Sequence, residues 1–187
     1  AVSQQIFNEI KDVSKKTLWI PCGVDDGFLN PTTNTPRTNT LIFPGSPSRP
    51  VKNYTLFKQI LIVLNNNYNI KPEVILFGSK SRDEVKTALN KSKCLVMTSL
   101  SEGSPQVIKE AIACNIPIVS TDVGDVSFLL KDLDNCYICK SDNEFATKIA
   151  LILKKEIINE YPINIKEPLT NFHVCQTIMK VYEELLN

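Results

Sequence analysis

Two glutamates separated by seven residues, Glu102 and Glu110, bracket the segment with the most chemical content. Glu102-Gly103-Ser104-Pro105 lies between two apolar runs, and Ser104 and Pro105 are the residue types that cap a helix and fill its first position. A helix is therefore predicted over 105–114. Free N–H groups at such a start make an anion site, and Gly103 has no side chain to keep a ligand away from the backbone. A carboxylate at the mouth of an anion site is out of place unless it binds hydroxyls of the same ligand. A sugar attached to a phosphate meets both demands. Glu110 follows about 7–8 Å further along the axis. With Val107, Ile108, Ala111 and Ile112 as the buried stripe, Glu110 is expected at its polar border, placed to hold a second pair of hydroxyls such as those of a ribose. On spacing alone, a loop charge and a solvated helix position remain the plainer account of the two glutamates.

The elements that must carry these residues alternate short apolar runs with helical periodicity, the pattern of βα units and a mostly parallel sheet. Strands are expected at 18–20, 41–43, 73–77, 94–98, 117–120 and 136–139. Helices are expected at 1–16, 54–66, 82–90, 105–114, 125–131, 143–155 and 170–186. The Pro-, Thr- and Asn-rich stretch 26–39 reads as a loop. Continuous apolar strands suit a doubly wound, Rossmann-like α/β domain with its sheet covered on both faces. Ligands then bind beyond the carboxyl ends of the strands, which points to 45–52, 78–81, 99–104 and 121–125.

The 187 residues suffice for one domain with a buried core, and 21 basic residues nearly cancel 20 acidic ones. There is no basic block to hold nucleic acid or an anionic membrane. No apolar run approaches the roughly 18–20 residues that cross a bilayer, and the first eight residues do not read as a signal peptide. A cytoplasmic location is expected, with at most peripheral attachment to the inner face of the membrane. Of six cysteines, Cys94, Cys114, Cys136 and Cys139 sit in or beside apolar runs and read as buried reduced thiols. The Cys136/Cys139 spacing has no second pair to complete a zinc site, and His173, the one histidine, has no partner for base catalysis. Gly78-Ser79-Lys80-Ser81 lacks the upstream glycine of a P-loop.

Residues 102–124, running from Glu102 through Glu110 to Gly124, resemble the E-x7-E segment of the GT-B glycosyltransferases of family 4. Ile20-Pro21-Cys22-Gly23-Val24-Asp25 and Phe43-Pro44-Gly45, with Arg49 and Lys52-Asn53, are similar to two further motifs of that family. Ser46 stands where the family often has arginine, Asn115 where it has the glycine that ends the helix, and Asp125 where it has the second glycine of a pair. The resemblance implies the C-terminal, donor-binding half of a retaining enzyme. Residues 1–17 would be the last helix of an N-terminal domain lying outside this sequence, 18–169 the sugar-nucleotide domain, and 170–187 a closing helix. It further implies that Arg49 and Lys52 hold the diphosphate and stabilise it as leaving group, and that Glu102 contacts the donated sugar. Gly45 would line the diphosphate loop, and the backbone of Gly103, Ser104, Pro105, Gln106 and Val107 would face sugar and phosphate. Glu110 would bind the ribose, and Gly78 and Ser79 would lie near the base.

The expected ligand is a UDP- or GDP-sugar, with no cofactor and no metal. The acceptor, a glycan or lipid-linked sugar of surface polysaccharide synthesis, would be bound by the missing N-terminal domain. This stretch alone should then bind donor but transfer little. Two other readings stay open: a GT-B relative that epimerises or hydrolyses a sugar nucleotide, and a non-catalytic nucleotide-binding module.

Overall fold

The structure is a computed structural model that describes residues 1–13, 17–29, 36–155, 161 and 166–186. Five strands, β1 (Thr38–Phe43), β2 (Glu73–Leu76), β3 (Ser92–Met97), β4 (Ile118–Ser120) and β5 (Cys136–Ile138), make one parallel sheet in the order β2-β1-β3-β4-β5. Side chains alternate across it, as the pleat requires. Ile42, Leu95, Met97 and Ile118 enter one core, with residues of α3 (Arg82–Lys91), α4 (Gln106–Ala113) and α5 (Val126–Leu130). Leu41, Phe43, Cys94, Val96 and Val119 enter the other, with residues of α2 (Tyr54–Tyr68) and α6 (Asp142–Lys154). The sheet is therefore wound on both faces, as its apolar strands predict. Cys94, Cys114 and Cys139 are buried and Cys136 half-buried, all as free thiols. Burial pushes Cys94 well up, Cys114 to about 12, and Cys136 and Cys139 to about 11.

Two peripheral helices, α1 (Gln4–Ile10) and α7 (Asn171–Leu186), bury none of their residues fully. The helix expected over 1–16 is thus shorter, and its residues 14–16 lie outside the described residues, as does Asn187. In the expected loop, Asp26–Leu29 forms a 3-10 turn, Thr38 and Asn39 join β1, and 30–35 are outside the described residues. No strand forms at Leu18–Ile20. That run finds no sheet edge: Ala1 N donates to Leu18 O and Ile20 N to Ala1 O, which ties it to the start of the chain. The one strand-like contact of this segment is an isolated bridge from Val24 to Thr170.

Helix stops follow side-chain chemistry. Asn69 and Asn115 take left-handed φ angles of 53° and 56° at the ends of α2 and α4, so Asn115 serves where glycine is the commoner choice. Ser81 and Glu84 form a reciprocal capping box at the start of α3.

The end of the sheet away from the carboxyl termini is closed by one guanidinium. Arg37 donates through Nη1 to Leu89 O and Ser92 O at 2.7 and 2.8 Å, and through Nη2 to Cys114 O at 2.7 Å and Asn115 O at 3.4 Å. It thereby satisfies carbonyls left over at the ends of α3 and α4 and favours their negative dipole ends. Burial lowers its pKa, opposed by the nearby Cys114 and Tyr161, and a guanidinium there stays charged. Arg37→Ala should lower unfolding free energy by about 2–4 kcal/mol, read from the urea midpoint. Arg37→Lys should recover only part of it, because an ammonium cannot reproduce the fork.

Candidate functional site

The strand order reverses at β1, so its crevice opens between the carboxyl ends of β1 and β3. Two loops line it. The first, after β1, runs through a 3-10 turn at Pro50–Lys52 to Asn53, which takes a φ of 50° and caps α2 by accepting from Leu56 N at 3.3 Å. A Cβ on Gly45 would lie 2.9 Å from Lys52 Cγ, so the missing side chain leaves a channel for the lysine stem. The second loop follows β3. Buried Thr98 donates its hydroxyl to both Lys52 O and Asn53 O at 3.0 Å, and Leu100 N donates to Val51 O at 2.8 Å.

That docking sets the central contact. Lys52 Nζ reaches Glu102 Oε1 at 2.6 Å, and Ser99 Oγ donates to the same oxygen at 2.8 Å. The side chains are 12% and 19% exposed, so the pair is sheltered yet reachable from solvent. Lys52 and Glu102, assigned from sequence to the two ends of one ligand, thus neutralise one another in the unliganded crevice.

Between Glu102 and α4 the expected cap differs. Pro105, at φ −67° and ψ 115°, is itself the residue before the helix, and Ser104 Oγ is buried with no hydrogen-bond partner. The turn is instead held by backbone: Asp125 N donates to Gly103 O at 3.0 Å. Gly124 makes this possible. Its φ is +56°, and a Cβ there would lie 1.9 Å from Gly103 O and 2.6 Å from Glu102 O. A Cβ on Gly103 would meet nothing within 4 Å, so that residue is exposed to open space at the mouth of the crevice.

Glu110 departs from its expected polar border. It is buried, and its Oε1 accepts from Arg82 Nη1 at 2.5 Å. Arg82, 57% exposed as a side chain, also stacks over the Phe28 ring at 4.9 Å. Nor is the buried stripe of α4 the expected one. Val107 is only half-buried, whereas Lys109 is fully buried, its Nζ donating to Cys22 O at 2.9 Å. The reason is that α4 is covered from more than one side: the segment around Cys22 and Gly23 lies over it, with Gln106 Nε2 donating to Gly23 O. Burial lowers the Lys109 pKa, partly offset by Cys22 and Asp125.

The remaining expected residues sit further out. Arg49 is exposed, with no ion pair among the described residues, and Gly78 and Ser79 are exposed in the turn after β2. That turn borders the first loop, since a Cβ on Gly78 would lie 3.7 Å from Ser46 Cβ. Residues that sequence reasoning missed are Thr98, which positions the loop, and Arg82, which covers Glu110; Ser99, inside the expected 99–104 stretch, positions Glu102. The only sequence signal for Arg82 was its place at the head of a helix following a strand. The replacement of the family's second glycine by Asp125 did mark a special position.

Comparison with known proteins agrees with this architecture. A mutant of the Staphylococcus aureus protein TarM, solved with fondaparinux, α-GlcNAc-glycerol and UDP, superposes with a TM-score of 0.75 at 16% identity over 97% of this chain and 43% of its own. The pneumococcal O-GlcNAc transferase GtfA, solved with UDP and GlcNAc, gives 0.70 at 17% identity over 100% of this chain and 45% of its own. These likenesses show the GT-B type of fold. Among curated proteins, an uncharacterized glycosyltransferase of Methanocaldococcus jannaschii is 34% identical over 138 residues, 70% of this chain and 38% of that protein. A trehalose synthase of Pyrococcus horikoshii is 25% identical over 132 residues, 70% of this chain and 32% of that protein. The chain thus spans 32–38% of the length of these relatives. Residues 57–167, more than half of the chain, match the family model for glycosyl transferases group 1. The chain belongs to the glycosyl transferases group 1 family.

Proposed function

We propose that the chain is the donor-binding half of a retaining, family 4 glycosyltransferase that moves a hexose from a UDP- or GDP-sugar to a glycan or lipid-linked acceptor. The observation that carries this reading is the Lys52–Glu102 contact of 2.6 Å beside the open backbone of Gly103. Fifty residues apart in sequence, the two side chains meet at the mouth of the crevice. A diphosphate entering there draws Lys52 to itself, and Glu102 is released to accept from sugar hydroxyls. Breaking the glycosyl–phosphate bond builds negative charge on the diphosphate, which Lys52, Arg49 and the N–H groups at the start of α4 stabilise. Glu110 receives the ribose once Arg82 moves aside, a movement its exposure permits. The acceptor, and any further catalytic groups, belong to a domain preceding residue 1, of which α1 is the last helix, and α7 is the closing helix.

Calorimetric titration with UDP-, GDP- and ADP-sugars tests the donor reading. One nucleotide should bind, and Lys52→Ala should weaken it by about 1.5–3 kcal/mol, the range for hydrogen bonds to charged groups. Glu110→Ala should weaken all ribonucleotides by a similar factor. Unchanged affinity in Lys52→Ala would remove the assignment.

The two glycines give an independent check, because they part stability from binding. Gly124→Ala should cost about 2 kcal/mol or more of stability through backbone strain and collision with Gly103. Gly103→Ala should leave the denaturation midpoint nearly unchanged yet weaken nucleotide-sugar binding, since its methyl group stands where the ligand must lie. A stable Gly103→Ala protein that binds donor as well as the unaltered chain contradicts the close approach.

A further inference from the structure

A cavity of about 270 Å³ shares Ser104 with the crevice but otherwise draws on different parts of the chain: Trp19 before the sheet, Asp125 and Phe128 at the start of α5, and Thr177 on α7. Its polar groups are not satisfied by the protein. Asp125 is 2% exposed; its Oδ1 accepts from Gln4 N at 2.8 Å, while Oδ2 is buried with no partner. Ser104 Oγ and Trp19 Nε1 are buried without partners too. Lys109, also in the lining, has one of its three donors engaged, on Cys22 O. Buried groups of this kind require partners, and leaving them without costs free energy.

The unmet needs run both ways. A carboxylate oxygen wants a donor, whereas an indole N–H and an ammonium want acceptors. A carboxylate or a fully ionised phosphate cannot donate and would face Asp125 with like charge. A protonated amine cannot accept. An alcohol does both. The apolar part of the wall completes the match: the Trp19 and Phe128 rings meet edge-to-face, centroids 5.2 Å apart, and offer flat surface to the C–H face of a ring. The volume lies below the ~300 Å³ at which sites for drug-sized ligands begin, which suits one sugar ring and excludes a nucleotide sugar.

We propose that this cavity binds a single monosaccharide unit, or a polyol of equivalent size, through Asp125 and Ser104 against the Trp19–Phe128 wall. The inference does not rest on the nucleotide reading, since the pocket uses neither Lys52, Glu102 nor Glu110.

Trp19 is the sole tryptophan, so its emission reports on the cavity directly. The chain is titrated with glucose, galactose and N-acetylglucosamine, with and without saturating UDP, and UDP binding is measured separately by calorimetry. The expected result is a saturable change in Trp19 emission with at least one sugar, at an affinity UDP does not alter. Asp125→Asn, which turns the unpartnered acceptor into a donor, should weaken that sugar about tenfold or more, equivalent to roughly 1.4 kcal/mol. Thr177→Phe, which fills the cavity from α7, should abolish the response, with the fold of each variant checked by circular dichroism. If Asp125→Asn does not fold, Thr177→Phe decides. No saturable response to any sugar, displacement of the sugar by UDP, or wild-type affinity in the folded variants each overturns the proposal. Sugar binding without UDP binding would sustain it while removing the nucleotide reading instead.

Discussion

Everything at the mouth of this domain depends on one buried hydroxyl. Thr98, at the end of β3, spends its single proton between Lys52 O and Asn53 O, and so fastens the loop after β1 to the loop after β3. Two parallel strands side by side do not by themselves fix the relation between the loops that leave them. With Thr98 in place, and Leu100 N on Val51 O beside it, the lysine stem is aimed across the crevice at Glu102. An isosteric valine would keep the shape and lose both bonds, leaving Lys52 O without the donor and Asn53 O with Phe57 N alone.

The charges of the crevice are stored as pairs. Lys52 with Glu102 and Arg82 with Glu110 each set a cation against a carboxylate at 2.6 and 2.5 Å. An unpaired charge at such depth is costly, and a pair of this geometry offsets much of that cost. In the donor-binding reading proposed above, an incoming anion would exchange with one carboxylate for the cation. Glu110 shows the asymmetry best, being buried while its partner is more than half exposed, so the arginine is the member able to leave.

How much of this was legible from the residues alone follows a physical line. Elements whose signal is local were read closely: the apolar runs of β1 to β5 and the stop at Asn115. Glu102 stood out because a strand, a glycine turn and a helix start lie within a few residues of each other, the pattern expected of an anion site, whereas Glu110, expected at a polar border, is buried. What failed depends on contacts distant in the chain. Lys109 looks like the solvated side of α4 and is fully buried, because the Cys22–Gly23 segment, more than 80 residues earlier, lies over it. Leu18–Ile20 has the composition of a strand but is tied to the start of the chain instead of joining the sheet. Ser104 has the chemistry of a cap, yet its hydroxyl goes unused, since Asp125 already holds the turn through Gly103 O.

The Arg37 clasp at the opposite end of the sheet differs in kind from the pairs at the mouth. Its acceptors are peptide carbonyls, which carry no proton to gain, and a guanidinium keeps its own throughout the range a cell experiences. The domain therefore rests on a floor whose fastening involves no titrating acceptor, so the strands and the ends of α3 and α4 are held by the same bonds whatever enters the crevice above them.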